Sequence, residues 1–186
     1  NCSKFMPEYK LYYGEMKGLG EVPRQLFALA GVEFEDIRLT MAEWPEVKKK
    51  FPFGQAPVLF VDGNPIPQSH AINRYIAKQY GLAGKTSYEA AWVDAIADQW
   101  KDFHGEFKKY WAIVVGFLDG NQNEARIKHG IPARDTFFPL IVKQLEKTST
   151  GFLVGSNLTW VDVLIANSVE DIESREPGFC ADYPEV

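Results

Sequence analysis

The stretch Phe53-Gly54-Gln55-Ala56-Pro57-Val58-Leu59-Phe60-Val61-Asp62-Gly63, followed by Gln68-Ser69-His70-Ala71-Ile72, decides the fold of this chain. Proline has no N–H to give a sheet ladder and is tolerated at the first residue of a strand, so Pro57 marks the entry to a strand over 58–61. Asp62-Gly63 is a hairpin turn signal. Ser69 precedes Ala71, Ile72, Tyr75, Ile76 and Tyr80, whose spacing is helical, which predicts Ser69 as the N-cap. A helix start offers N–H groups without intrahelical acceptors at a positive dipole end, and this suits a carboxylate of an amino-acid-like ligand. Most N-cap serines only cap, so this stretch alone gives a candidate anion site and no more.

Upstream, Tyr9 to Tyr13 is β-prone and runs into a loop containing Gly14, Gly18 and Gly20; a helix is predicted from Glu21 to Ala30. Val32 to Leu39 alternates, with Val32, Phe34, Ile37 and Leu39 set among Glu33, Glu35, Asp36 and Arg38, and predicts a strand. A short helix is expected within Trp44 to Lys50, and a hairpin partner near Pro65 to Pro67. The order is βαβαββα over residues 9–81, after an N-terminal extension of residues 1–8. Gly81-Leu82-Ala83-Gly84-Lys85-Thr86 breaks the pattern, and 82–86 is expected to be a linker. Beyond it, 87–186 reads as all-helical. A long helix spans Tyr88 to Phe117, with Trp92, Trp100, Phe103, Phe107, Tyr110 and Trp111 mostly core. Another covers Ala133 to Lys147, and a third follows the capping box Thr159-Trp160-Val161-Asp162.

Composition narrows the chemistry. The chain has 186 residues, 46% of them hydrophobic, enough for two small domains. No apolar run approaches the roughly 20 residues of a spanning helix, so no membrane span is expected. A net charge of −5, with basic and acidic residues intermixed, argues against a nucleic-acid partner. Lys48-Lys49-Lys50 reads as a solvated helix end. With only Cys2 and Cys180, neither a disulfide framework nor a C-x-x-C site is available, and any thiol chemistry must come from a ligand. His70, His104 and His129 lack metal-ligand spacing and no metal is predicted. No nucleophile elbow, Walker loop or dinucleotide fingerprint occurs. Gly18-Leu19-Gly20 reads as a loop signal and nothing more.

An α/β module of this order with a proline before its third strand, joined to an all-α domain, resembles the cytosolic glutathione transferases. The motifs resemble their sigma class, nematode type, and more distantly the glutathione-dependent prostaglandin D synthases of that class. The resemblance rests on Tyr9-Lys10-Leu11-Tyr12-Tyr13, Trp44 with Lys48, Pro52-Phe53-Gly54-Gln55-Ala56-Pro57, Gln68-Ser69, Arg74-Tyr75 and Leu158-Thr159-Trp160-Val161-Asp162. It implies a thioredoxin-like N-terminal domain that binds glutathione and a helical domain that supplies the hydrophobic substrate site. It implies that Tyr13 hydrogen-bonds the glutathione sulfur; a donor aimed at sulfur favours thiolate over thiol. Tyr12 and Tyr13 point to opposite strand faces, and alternation alone does not choose between them. Trp44 and Lys48 match the grip on the glycine end. Gln55, Ala56 and a cis Pro57 match the cysteinyl pairing, and Gln68 and Ser69 match the γ-glutamyl grip. Asp102 matches an acid that reaches the γ-glutamyl ammonium from the other subunit of a homodimer. Tyr12, Gly14, Met16, Phe107, Tyr110 and Trp111 are expected at the wall of the electrophile pocket.

The chain also departs from the pattern. Leu19 stands where several sigma enzymes carry an arginine close to the tyrosine, and Lys101 stands where the vertebrate prostaglandin D synthases have an aspartate that gathers metal. The expected activity is attack of glutathione thiolate on hydrophobic electrophiles, with isomerisation of prostaglandin H2 to prostaglandin D2 as a further activity of the class. The rivals are a non-catalytic carrier of hydrophobic ligands and a crystallin-like structural protein. Asn1-Cys2-Ser3 and Asn157-Leu158-Thr159 are N-glycosylation sequons, and Met6-Pro7-Glu8-Tyr9 looks like a cytosolic start preceded by extra residues. Together these lead us to expect a secreted glycoprotein, with a cytoplasmic protein as the alternative.

Overall fold

A computed structural model describes residues 7–186, so Asn1, Cys2 and the first sequon lie outside the described residues. The chain divides into two compact units after Leu82. In the first, β1 (Tyr9–Gly14) leads through a 3-10 turn at Gly18–Gly20 into α1 (Glu21–Ala30), then β2 (Glu35–Leu39), α2 (Trp44–Val47) with a 3-10 turn at Lys48–Lys50, β3 (Val58–Val61), β4 (Asn64–Pro67) and α3 (Ser69–Gln79). The sheet order is β2-β1-β3-β4. The β1–β2 pair is parallel across the α1 crossover, and the other two pairs are antiparallel.

β2 begins three residues later than the alternation suggests. Val32 N–H donates to Phe27 O (3.0 Å) and Gly31 N–H to Ala28 O (3.1 Å), the paired bonds that close a helix C-terminus. Val32 is therefore spent on capping α1, and its side chain is buried there instead of in a ladder. The Asp62-Gly63 turn has φ of 47° and 81°, the doubly left-handed geometry of a tight hairpin. Pro65 and Pro67 fall on β4, an edge strand where a missing N–H is tolerated. Leu11, Leu26, Phe27, Val58, Leu59, Ile72 and Ile76 form the buried centre of this unit.

The second unit holds α4 (Ser87–Val114), α5 (Gln122–Ala125), a π turn at Arg126–Gly130, α6 (Ile131–Thr148) and α7 (Trp160–Arg175). Thr86 caps α4 by accepting the Glu89 N–H. The expected box at Thr159 is centred on Asp162. One carboxylate oxygen accepts the Thr159 N–H (2.8 Å) and hydroxyl (2.7 Å), and the other accepts the Leu153 N–H (2.7 Å), tying the preceding loop to α7. Stacked Phe103 and Phe137 (4.9 Å between centroids) and the Trp100 Nε1–Ser168 Oγ bond (2.7 Å) join α4 to α6 and α7. Phe107 and Tyr110, expected at a pocket wall, are 3% and 0% exposed. Their rings pack on each other and on Phe179, so they are core and have no open face for a substrate. Trp111 is half-buried against Phe107. Among the described residues no helix is long and apolar enough to cross a membrane, and no group of three or more His, Cys, Asp or Glu could hold a metal ion.

Candidate active site

The pairing register gathers the expected glutathione residues of the first unit at one end of the sheet. Tyr12 pairs with Val58, and Val58 with Pro67, so the next residues along each strand, Tyr13, Pro57 and Gln68, stand side by side where β1 and β4 end and β3 begins. β2 ends beside Gly14 at the same edge and leads directly to α2, which carries Trp44 and is followed by Lys48. Sheet topology thus brings distant residues to one rim. Asp102 is the exception. It is exposed on α4 of the second unit, in an open groove of about 290 Å³ over Phe103, Phe137 and Leu140.

Alternation separates the two tyrosines as β geometry requires. Tyr12 packs edge-on against Phe51 and Phe60, at 5.6 and 5.2 Å, on the opposite face from Tyr13. Tyr13 meets the loop that the sequence reading set aside. A Cβ at Gly18 would lie 2.5 Å from the Tyr13 hydroxyl oxygen, and one at Gly20 would lie 2.5 and 2.6 Å from its ring carbons. Both positions need glycine because the ring occupies the space of a side chain. The Leu19 N–H between them donates to the Tyr13 hydroxyl at 3.1 Å. Position 19, a leucine, therefore acts through its backbone. A signal for this was present: two glycines flanking one residue, just after the tyrosine strand, mark close backbone approach.

A hydroxyl has one hydrogen and two lone pairs. With a lone pair of Tyr13 taken by Leu19, the hydroxyl hydrogen is left to donate outward. Burial pushes the Tyr13 phenol up from its ordinary value, with the Leu19 N–H and the Arg24 charge offsetting part of the rise. Tyr13 therefore stays protonated at neutral pH, the state a donor requires.

On the other side of the rim the Ala56–Pro57 peptide is cis, and Pro57 is buried. Gln68 Nε2 donates to Gln55 Oε1 at 3.1 Å, so these two candidates touch. Ser69 is not the N-cap. Gln68 occupies that position with φ 73° and ψ 120° and makes no side-chain cap bond, and Ser69 is the first residue of α3. The left-handed backbone at Gln68, sparsely populated for a side-chain-bearing residue, costs about 1–3 kcal/mol and turns the chain from β4 into the helix. Trp44 is half-buried, 6.1 Å from Phe51 between ring centres, and Lys48 is exposed.

Known proteins resemble this chain over most of its length. The family described as Glutathione S-transferase, N-terminal domain, matches residues 7–78, and the one described as Glutathione S-transferase, C-terminal domain, matches 104–186. Glutathione S-transferase 1 of Ascaris suum is 45% identical over 178 residues, covering 96% of this chain and 86% of that protein. A Nu-class GST from Haemonchus contortus superposes with a TM-score of 0.87 at 43% identity, covering 97% of this chain and 87% of that one. Monomeric Na-GST-3, a glutathione S-transferase of the hookworm Necator americanus, gives 0.92 at 42%, covering 96% and 87%. More distantly, prostaglandin synthase D of Nilaparvata lugens gives 0.84 at 29%, covering 96% and 88%. The chain belongs to the glutathione S-transferase family and is a transferase of that family.

Proposed function

We propose that glutathione binds along the rim of the first unit with its sulfur against the Tyr13 hydroxyl, and that the thiolate so held attacks hydrophobic electrophiles. The observation that carries this reading is the Leu19 N–H on Tyr13, which leaves a protonated hydroxyl free to donate. Lys48 and Trp44 hold the glycyl carboxylate, the backbone of Ala56 pairs with the cysteinyl unit, and Gln68, braced by Gln55, takes the γ-glutamyl end with Ser69 at the N-terminus of α3. In conjugation the sulfur lone pair forms the C–S bond, and the leaving group departs with its electron pair. The test is turnover of 1-chloro-2,4-dinitrobenzene with glutathione by wild type and Tyr13→Phe. A large loss in kcat with little change in glutathione affinity is expected; negligible wild-type turnover despite glutathione binding would overturn the reading in favour of a carrier.

Three finer readings are part of the proposal. Prostaglandin H2 is a substrate for isomerisation: thiolate sulfur attacks one endoperoxide oxygen, the O–O bond breaks and the other oxygen leaves as an alkoxide that takes up a proton; the carbon bearing the S–O oxygen then loses its proton, its C–H electrons form the D-series carbonyl, and the S–O bond breaks to release thiolate. Similarity to a prostaglandin synthase supports it; failure to make prostaglandin D2 from prostaglandin H2 and glutathione refutes it. The active unit is a sigma-type homodimer in which Asp102 of the partner subunit meets the γ-glutamyl ammonium. A monomer in sedimentation whose Asp102→Ala variant keeps its glutathione KM would refute that, and a monomeric relative makes the measurement necessary. Third, the protein is secreted and glycosylated. Asn157 supports this by being exposed, its side-chain oxygen accepting the Ser156 hydroxyl at 3.2 Å; absence of a glycosidase-sensitive mass on the native protein refutes it.

A further inference from the structure

Residues 15–18 of the loop that carries Leu19 to Tyr13 are exposed. What fixes it comes from α1 and β2. Arg24, 7% exposed, lies among the apolar residues Val22, Leu26 and Phe27 of α1. Its Nε meets both oxygens of Asp36 at 3.1 Å, one terminal nitrogen donates to Met16 O and to Glu21 Oε2 at 3.2 Å each, and the other donates to Gly14 O at 3.2 Å. Arg38, also on Asp36 at 2.8 Å, donates to Glu15 O at 2.9 Å. Consecutive carbonyls of the loop are thus tied to one carboxylate through two arginines. The Arg24 guanidinium carbon lies 5.9 Å from the Tyr13 ring centre, beneath the same loop.

We propose that Arg24, locked by Asp36, is a positioning residue for Tyr13: it fixes the β1–α1 loop so that the Leu19 N–H and the two flanking glycines hold the hydroxyl in line with the glutathione sulfur. A guanidinium can do this because its planar fork serves a carboxylate and several carbonyls at once; a lysine brings the same charge as a single point. Two loop carbonyls held by one buried fork, with the carbonyl between them held by Arg38, fix the arrangement of the loop. The charge also lies close to the site where thiolate develops, from α1 instead of from position 19. The charged groups around Arg24 are Asp36, Glu21 and, beyond Asp36, Arg38.

This inference rests on Tyr13 being the sulfur's donor, and the experiment separates the two. The ionisation of glutathione bound to the full protein is titrated by thiolate ultraviolet absorbance in wild type, Tyr13→Phe, Arg24→Lys and Arg24→Gln, alongside kcat, KM and the urea midpoint. Arg24→Lys, which keeps the charge and loses the fork, is expected to raise the bound thiol pKa by about one unit. That is read as about tenfold less thiolate and tenfold lower kcat/KM at a pH below both values, with the deficit closing at high pH. Arg24→Gln should show more of the same. If Tyr13→Phe moves the thiol pKa while both Arg24 variants leave it and kcat/KM within twofold of wild type, Arg24 only supports the fold and the proposal fails. If Tyr13→Phe itself moves nothing, the reading of Tyr13 fails first. Should the Arg24 variants not fold, Asp36→Asn, at a partly exposed site, is expected to shift the thiol pKa in the same direction; no shift there also overturns the proposal.

Discussion

Gly20→Ala tests the Tyr13 clasp with the smallest perturbation available. Gly20 has φ −86°, a conformation open to any residue, so the added methyl group brings no backbone strain. It does bring contact. The new carbon would lie 2.5 Å from Tyr13 Cδ1, 2.6 Å from Cγ and 2.9 Å from Cβ. Carbon pairs settle at about 3.5–4.0 Å, so ring and loop must part by about 1 Å. Overpacking of this size destabilises by about 1–3 kcal/mol. A misplacement of about 1 Å at a reacting group costs on the order of 100-fold in rate. The assay is kcat/KM for 1-chloro-2,4-dinitrobenzene with the urea midpoint measured in parallel. Gly31→Ala is the control: its Cβ would meet nothing within 4 Å, but its φ is 64°. That variant should lose about 1 kcal/mol of stability and keep full activity. Activity of Gly20→Ala within twofold of wild type would refute the reasoning, because the ring would then not be held by the loop.

Other consequences are open to measurement. Asp162→Ala removes the acceptor of two backbone N–H groups and a hydroxyl, and should lower unfolding free energy by about 2–3 kcal/mol in urea titration, with kcat unchanged. Cys180 is buried, and burial together with the Glu173 carboxylate raises its thiol to about 12; peptide mass spectrometry after iodoacetamide at pH 8 should find it unlabelled in native protein and labelled in urea. Glu173 accepts the N–H groups of Cys180 (2.5 Å) and Gly178 (2.7 Å), which hold its carboxyl below the ordinary value. Its stabilisation is therefore full above the unfolded carboxylate pKa, about 4.3, and lost as pH falls through the lower folded value; urea midpoints measured downward from pH 6 should fall less steeply in Glu173→Gln than in wild type.

The fold was legible because its signals are local. Pro57, the Asp62-Gly63 turn and the Thr159–Asp162 box each act within a few residues, and each appears where the sequence placed it. The misreadings occur where tertiary demands outweigh periodicity. Val32 continues the alternation of β2 but serves the end of α1, and Ser69 has the chemistry of a cap but yields that position to Gln68, whose backbone must turn. Phe107 and Tyr110 carry the same aromatic stripe whether they line a pocket or fill a core, and spacing does not distinguish the two. The tyrosine's surroundings were the least visible. Gly18, Leu19 and Gly20 act by what their backbone allows, and Arg24 is a charged residue buried on an apolar helix face, its acceptors being carbonyls that no sequence displays.

The account's central claim is that the Tyr13 hydroxyl stabilises glutathione thiolate. Titrating the thiol of glutathione bound to wild type and to Tyr13→Phe tests it most directly, since the readout is the ionisation itself. The account predicts a wild-type value well below the ordinary thiol pKa of about 8.5, and a Tyr13→Phe value returned most of the way to it. Equal values in the two proteins would contradict it.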